Sequence, residues 1–258
     1  MGILLRCSLV GITFVGAMFA QQTGDEPTPS GAAFGTTVVI PAGLRGSVFL
    51  IPKDTTVLPD FERDKVQRVG EIWTNELNIQ PRHWRAGFPG LMERFEWFAV
   101  DYSGRFWIAN PGRYTFALLS DDGSRLFLDD TPLIDNDCQH PPDLRVAAVQ
   151  LAGGGHRMRV SYFQGPRDCL ALVLAVAGPD RKWRIFDVRE FKPPPNPEDW
   201  HFPTNSSLAI VPVTPDEASL TINELTRHLS PGDPDEKFRI KSKADRGCRA
   251  AAIRVCGQ

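Results

Sequence analysis

Bulk charge is almost absent from this sequence: 29 Lys and Arg against 31 Asp and Glu leave a formal net charge of -2 over 258 residues. No global field draws the chain to nucleic acid, so nucleic acid is not an expected partner. After residue 20 no apolar run is long enough to cross a bilayer, which excludes a later membrane span. No G-x-S-x-G and no His-Glu-x-x-His occurs, and the histidines (His83, His140, His156, His201 and His228) are scattered. A glycosidase needs two carboxylates flanking a cleft. The most conspicuous acids, Asp121 and Asp122, are adjacent instead, a spacing that suits an ion better than a sugar ring. These absences make the chain read as non-catalytic. Cysteine is scarce, no CxxC is present, and no His-x-Cys cluster supports zinc. No internal repeat or heptad points to a solenoid or a coiled coil.

What is present begins at the N-terminus. Arg6 precedes an uncharged stretch from Cys7 to Ala20, followed by a polar segment with acids and prolines. A short apolar run behind one basic residue is what an export machinery reads. Residues 1–20 are expected to be a signal peptide and 21–36 a flexible linker. The protein is then secreted, periplasmic or on the cell surface. Cys7 leaves with the signal, and Cys138, Cys169, Cys248 and Cys256 remain. An even number in an exported chain suggests disulfides. Spacing favours Cys138–Cys169 and Cys248–Cys256, although three pairings are possible.

Frequent Gly and Pro, with plentiful Val, Phe and Trp, favour short strands over long helices. Strand-like runs occupy 37–40, 47–51, 71–79, 95–108, 113–120, 125–128, 144–151, 156–163, 170–177 and 183–191. The breaks carry turn chemistry, as in Asn110-Pro111-Gly112 and Asp121-Asp122-Gly123. Tyr114, Phe116 and Leu118 share one face, as do Met158, Val160 and Tyr162, with Arg157 and Arg159 opposite. That alternation fits strands with one solvated face. Leu170–Ala177 is apolar on both faces and should be a covered, central strand. The fold class is all-β, an antiparallel sandwich or barrel. Lys192-Pro193-Pro194-Pro195-Asn196-Pro197 cannot pair in a sheet and marks a boundary. The β domain is expected over 37–192. A Pro-rich linker and small C-terminal appendage follow over 193–258, with a possible strand at 208–213 and a helix opening at the capping-box sequence Thr221-Ile222-Asn223-Glu224.

Several motifs stand in one order. Residues 104–136 read GRFWIANPGRYTFALLSDDGSRLFLDDTPLIDN, and after a loop 151–179 read LAGGGHRMRVSYFQGPRDCLALVLAVAGP. The order of a Pro-Gly turn, G-x-Y-x-F, S-D-D-G-S, Leu-x-Leu-Asp, a glycine-rich turn and G-H-x-x-x-V-x-Y resembles the PA14 domain family over roughly 43–191. In sugar-binding members of that family the paired aspartates are joined by a cis peptide and ligate calcium, which grips sugar hydroxyls. The resemblance implies that role for Asp121 and Asp122, and the chemistry is coherent. Calcium takes several oxygens, and adjacent like charges repel unless a cation lies between them.

Lectin members add an asparagine from a later loop. Here that loop is Gln164-Gly165-Pro166-Arg167-Asp168, which has no asparagine and carries a positive Arg167. Asp168 and Gln164 are the oxygens it offers. Asp135 and Asp137, at the start of the variable loop, are candidates to extend the site. Trp84, in the loop-like QPRHWRAGFPG, is a candidate to present a ring to a ligand. The expected function is an exported, non-catalytic module that binds a glycan or cell-surface polysaccharide with calcium. The competing expectation is a structural or protein-interaction β-domain that binds another exported protein, without sugar or metal.

Overall fold

The computed structural model describes residues 43–203 and 208–214. The expected signal, linker, strand at 37–40, capping-box helix and Cys248–Cys256 pair lie outside the described residues. In chain order the strands are β1 (Leu44–Leu50), β2 (Gln67–Thr74), β3 (Asn78–His83), β4 (Phe98–Ile108), β5 (Gly112–Asp121), β6 (Ser124–Leu128), β7 (Thr131–Asn136), β8 (Asp143–Leu151), β9 (Gly154–Gln164), β10 (Cys169–Ala177), β11 (Trp183–Ile185) and β12 (Ala209–Val211). Among the described residues the only helical pieces are two 3-10 turns, at Trp84–Ala86 and Pro197–Asp199. No helix there is long and apolar enough to cross a membrane.

Two antiparallel sheets form. The first runs β2-β1-β4-β9-β6-β7, and the second β11-β10-β5-β8-β12, with β3 also paired to β10. The all-β sandwich expected from the turn spacing is the observed fold. The sequence alternation explains the layering. Along β4, Phe98, Val100, Tyr102, Phe106 and Ile108 enter the core between the sheets, as do Met158, Val160 and Tyr162 of β9. Their neighbours Arg105, Arg157 and Arg159 stay exposed on the outer face. β4 and β9 pair without a break from Phe98 opposite Gln164 to Ile108 opposite Gly154.

Every residue of β10 is buried, as its unbroken apolar run predicts. β5 flanks it on one side and β11 and β3 on the other. A fully buried Leu or Val side chain contributes about 1.5–3 kcal/mol, so this strand is a main source of stability.

Two expected runs differ. Residues 71–79 divide into β2 and β3, which join different sheets. Residues 183–191 keep strand form only over Trp183–Ile185. Phe186 then turns into the core and stacks on Phe191 at 4.9 Å, so apolar side chains on irregular backbone account for the rest of that run. β7 has no counterpart among the expected strands. Beyond the proline-rich run the chain returns, and β12 pairs with β8 to form the edge of the second sheet.

Candidate functional site

β5 ends at Asp121 and β6 begins at Ser124, so Asp121-Asp122-Gly123 connects the second sheet to the first at one end of the sandwich. The Asp121–Asp122 peptide is cis. Both aspartates are buried, at 5 % and 4 % exposure. Gly123 sits where nothing larger fits. A Cβ there would lie 2.4 Å from the Phe163 ring and 2.8 Å from Asp137 Oδ1 and from the Cys138 amide nitrogen.

Two loops close on this turn. From the loop between β7 and β8, the His140 N–H donates to Asp122 Oδ1 at 3.1 Å. From the loop between β9 and β10, the Gly165 N–H donates to Asp122 Oδ2 at 2.8 Å. The Tyr162 hydroxyl lies 2.7 Å from the Asp121 carbonyl oxygen and 2.5 Å from Gln164 Oε1 and donates toward both. The turn is therefore held by main-chain amides and one core tyrosine.

The electrostatics are those of acids crowded together. Burial first, then the charges of Asp122 and Asp168, pushes the Asp121 carboxyl well above the usual carboxylate range. Asp122 is pushed up to about 7, chiefly by burial, with Asp168 adding to it and the Gly165 and His140 contacts opposing. Burial raises Asp168 as well, against the pull of His83. The nearby arginines are engaged elsewhere. Arg167 pairs with Glu96 at 2.9 Å and lies over the Trp84 ring at 5.3 Å. Arg125 pairs with Asp135 at 3.3 Å and Asp137 at 3.0 Å. The positive charge that the sequence places in the 164–168 loop is thus drawn onto Glu96 and Trp84.

Asp121, Asp122 and Asp168 act on one another electrostatically. Gln164 is fully buried and spent internally: Oε1 accepts from Tyr162, and Nε2 donates to the Cys169 carbonyl at 2.8 Å. Asp137 reaches the turn beside Gly123, but its Oδ1 accepts the Leu58 N–H at 2.8 Å. Asp135 is exposed and bound by Arg125. Trp84 is half-buried, and its main-chain N–H donates to the Asp168 carbonyl at 3.1 Å, so it is tied to the same loop. Its ring meets Phe95 edge-on at 5.5 Å, with Arg85 over it at 5.2 Å. Cys138 follows Asp137 in one loop, and Cys169 opens β10 after the other. The His140 amide and the Tyr162 hydroxyl escaped the sequence reading. A backbone donor leaves no residue signature, and Tyr162 reads as core from its alternation.

The donors at the turn are all oxygens, and two of them are buried carboxylates that pair with no basic side chain among the described residues. That donor chemistry fits a hard cation such as calcium. No group of three or more His, Cys, Asp or Glu side chains is gathered in metal-holding form among the described residues. Main-chain, ligand or water oxygens would have to complete a coordination shell.

The fold and this turn define a two-sheet β module with an acidic connection at one end. Residues 73–187 match the family model of the PA14 domain. Similar solved structures include an anti-sigma factor domain-containing protein, at 22 % identity and TM-score 0.46, covering 60 % of this chain and 50 % of that one. The chain therefore spans half the length of that protein. The PA14 domain of the MpAFP antifreeze protein is similar at 14 % identity and TM-score 0.48, covering 57 % of this chain and 88 % of that one. The PA14 sugar-binding domain from an RTX adhesin is similar at 14 % identity and TM-score 0.47, covering 57 % and 96 %. A comparison with curated proteins gives no significant match.

Proposed function

We propose that this protein is an exported, non-catalytic carbohydrate-binding module whose glycan site is completed by calcium at Asp121 and Asp122. One observation carries the reading: two adjacent carboxylates are buried at a loop-closed end of a PA14 sandwich, and no basic side chain among the described residues pairs with them. Burying unpaired carboxylates is costly, and a bound cation removes the cost.

Asp121 and Asp122 would hold the ion, and Asp168 stands within electrostatic reach to add an oxygen. Calcium supplies a positive centre on which neighbouring sugar hydroxyls can be gripped. The His140 and Gly165 amides fix the Asp122 carboxylate and so preorganise it. Trp84 is anchored by its main chain to the Asp168 loop, with Arg85 and Arg167 over its ring. We further propose that Cys138 and Cys169, which are both buried, form a disulfide with each other. That bridge would tie together the two loops that close on the turn. The test is binding to a glycan array in calcium and in EDTA. Calcium-dependent retention of a defined glycan supports the reading, and chelator-independent retention removes calcium from it.

A second reading is favoured by a different fact. Both Asp122 side-chain oxygens already accept main-chain amides, so the turn can stand without an ion. On that reading the sandwich is a structural or protein-interaction β-domain, indifferent to chelators.

A further inference from the structure

The outer face of the first sheet carries a feature that the acidic turn does not explain. A cavity of about 1100 Å³ opens over β1, β4 and β9 and is walled by the chain that follows β11. Its lining is strongly basic. Arg45, Arg105, Arg157, Arg159, Arg189 and Lys192 all line it, against the single carboxylate of Asp130. The protein as a whole is slightly acidic, so this is a local concentration of positive charge.

Register explains the crowding. Trp73, Arg45, Ser103, Arg159 and Phe127 form one row across five strands. In the next row Arg105 stands directly opposite Arg157, an arrangement of like charges that costs stability. Neutralisation is incomplete. Arg157 meets Asp130, Arg45 lies 3.8 Å from Glu71, and Arg189 meets Asp187. Arg105, Arg159 and Lys192 have no carboxylate within ion-pair distance among the described residues. Arg159 lies over the Phe127 ring at 4.1 Å, and Arg105 over Phe202 at 5.6 Å.

Aromatic surface is interleaved with these cations. Phe202 packs so closely over Gly155 that a Cβ there would lie 2.6 Å from its ring, and it rests edge-on against Trp107. Phe202 and Trp200 remain 51 % and 44 % exposed. The Trp200 indole N–H donates to the Pro194 carbonyl at 2.8 Å, which folds the proline-rich segment into a wall.

We propose that this groove is a second binding site, for an acidic polysaccharide chain bearing carboxylates, separate from the Asp121/Asp122 turn. Five of the six lining cations are arginines, whose planar forks match carboxylates in two-bonded geometry. The aromatic faces provide apolar area for the C–H faces of sugar rings. A neutral glycan would leave the cations without counter-charge. A nucleic-acid groove would call for a strongly basic domain, and the chain is slightly acidic.

The test uses the full chain in EDTA, so that calcium at the paired aspartates plays no part. Calorimetric titration compares polygalacturonate oligomers, the same oligomers methyl-esterified, and oligo-dT. The site predicts binding of the free acid that weakens as salt is raised. It also predicts about tenfold weaker binding for the ester and for the double variant R105Q/R159Q. A melting curve establishes that the double variant is folded, and the ester comparison requires no variant. Equal binding of acid and ester, oligo-dT binding as tightly as the polyuronate, or no polyuronate binding overturns the proposal. None of these results bears on calcium at the acidic turn.

Discussion

Gly123 shows how narrowly the acidic turn is built. A methyl group there meets the Phe163 ring, Asp137 Oδ1 and the Cys138 amide at once. Gly123→Ala is therefore expected to destabilise the protein by about 1–3 kcal/mol, read from chemical denaturation. His156 makes a different kind of prediction. Its Nδ1 lies 2.7 Å from Asp129 Oδ2. Burial lowers the imidazole's pKa, but the Asp129 and Ala152 hydrogen bonds and the Asp129 charge outweigh it and raise it on balance. Burial likewise raises Asp129, while the His156 and Arg157 contacts bring it below its usual value. The raised histidine stabilises the fold fully below its unfolded pKa of about 6.5 and loses that contribution as pH rises through the folded value. The lowered aspartate stabilises above its unfolded pKa of about 3.9 and loses that contribution as pH falls through its folded value. The stability difference between the natural protein and His156→Gln should thus be greatest between about pH 4 and 6.5 and shrink above it. A difference that is flat with pH would show that the pair is not charged. At this scale Asp121 and Asp122 were legible because adjacent acids in a turn motif are conspicuous. The other role of Gln164 was not, because an amide in a loop gives no sign of whether it faces inward.

Elements were legible where their period was clean. The two-sided apolar run predicted a covered strand, and β10 is that strand. Leu172→Ala, at a fully buried position, should cost about 2–5 kcal/mol in a denaturant melt. β7 was hidden by its opening Thr131-Pro132. Proline suits only an edge, and β7 is the edge of the first sheet, with a register shift opposite Pro132. The 71–79 run read as one strand because periodicity does not report which sheet each half joins. The proposed Cys138–Cys169 bridge belongs to this scale too. Closing a loop of that length is worth about 3–4 kcal/mol. Non-reducing peptide mapping should recover the two cysteines in one linked peptide, and reduction should lower the melting midpoint. Separate peptides would place the bridge elsewhere.

Over the whole molecule, the two sheets put different chemistry in different places. The connection between them gathers acids at one end, and the outer face of the first sheet gathers arginines. The first pattern is local in sequence and could be read from four consecutive residues. The second arises only when β1, β4 and β9 lie side by side, since Arg45, Arg105 and Arg157 are far apart along the chain. Net charge concealed it, because exposed acids elsewhere balance the sum. Calcium at the acidic turn is the central claim, and a thermal melt tests it most directly. The full chain and Asp122→Asn would each be melted with calcium and with EDTA. The account predicts that calcium raises the midpoint of the natural protein and leaves that of Asp122→Asn unmoved. A natural protein that melts identically in calcium and in EDTA would contradict it.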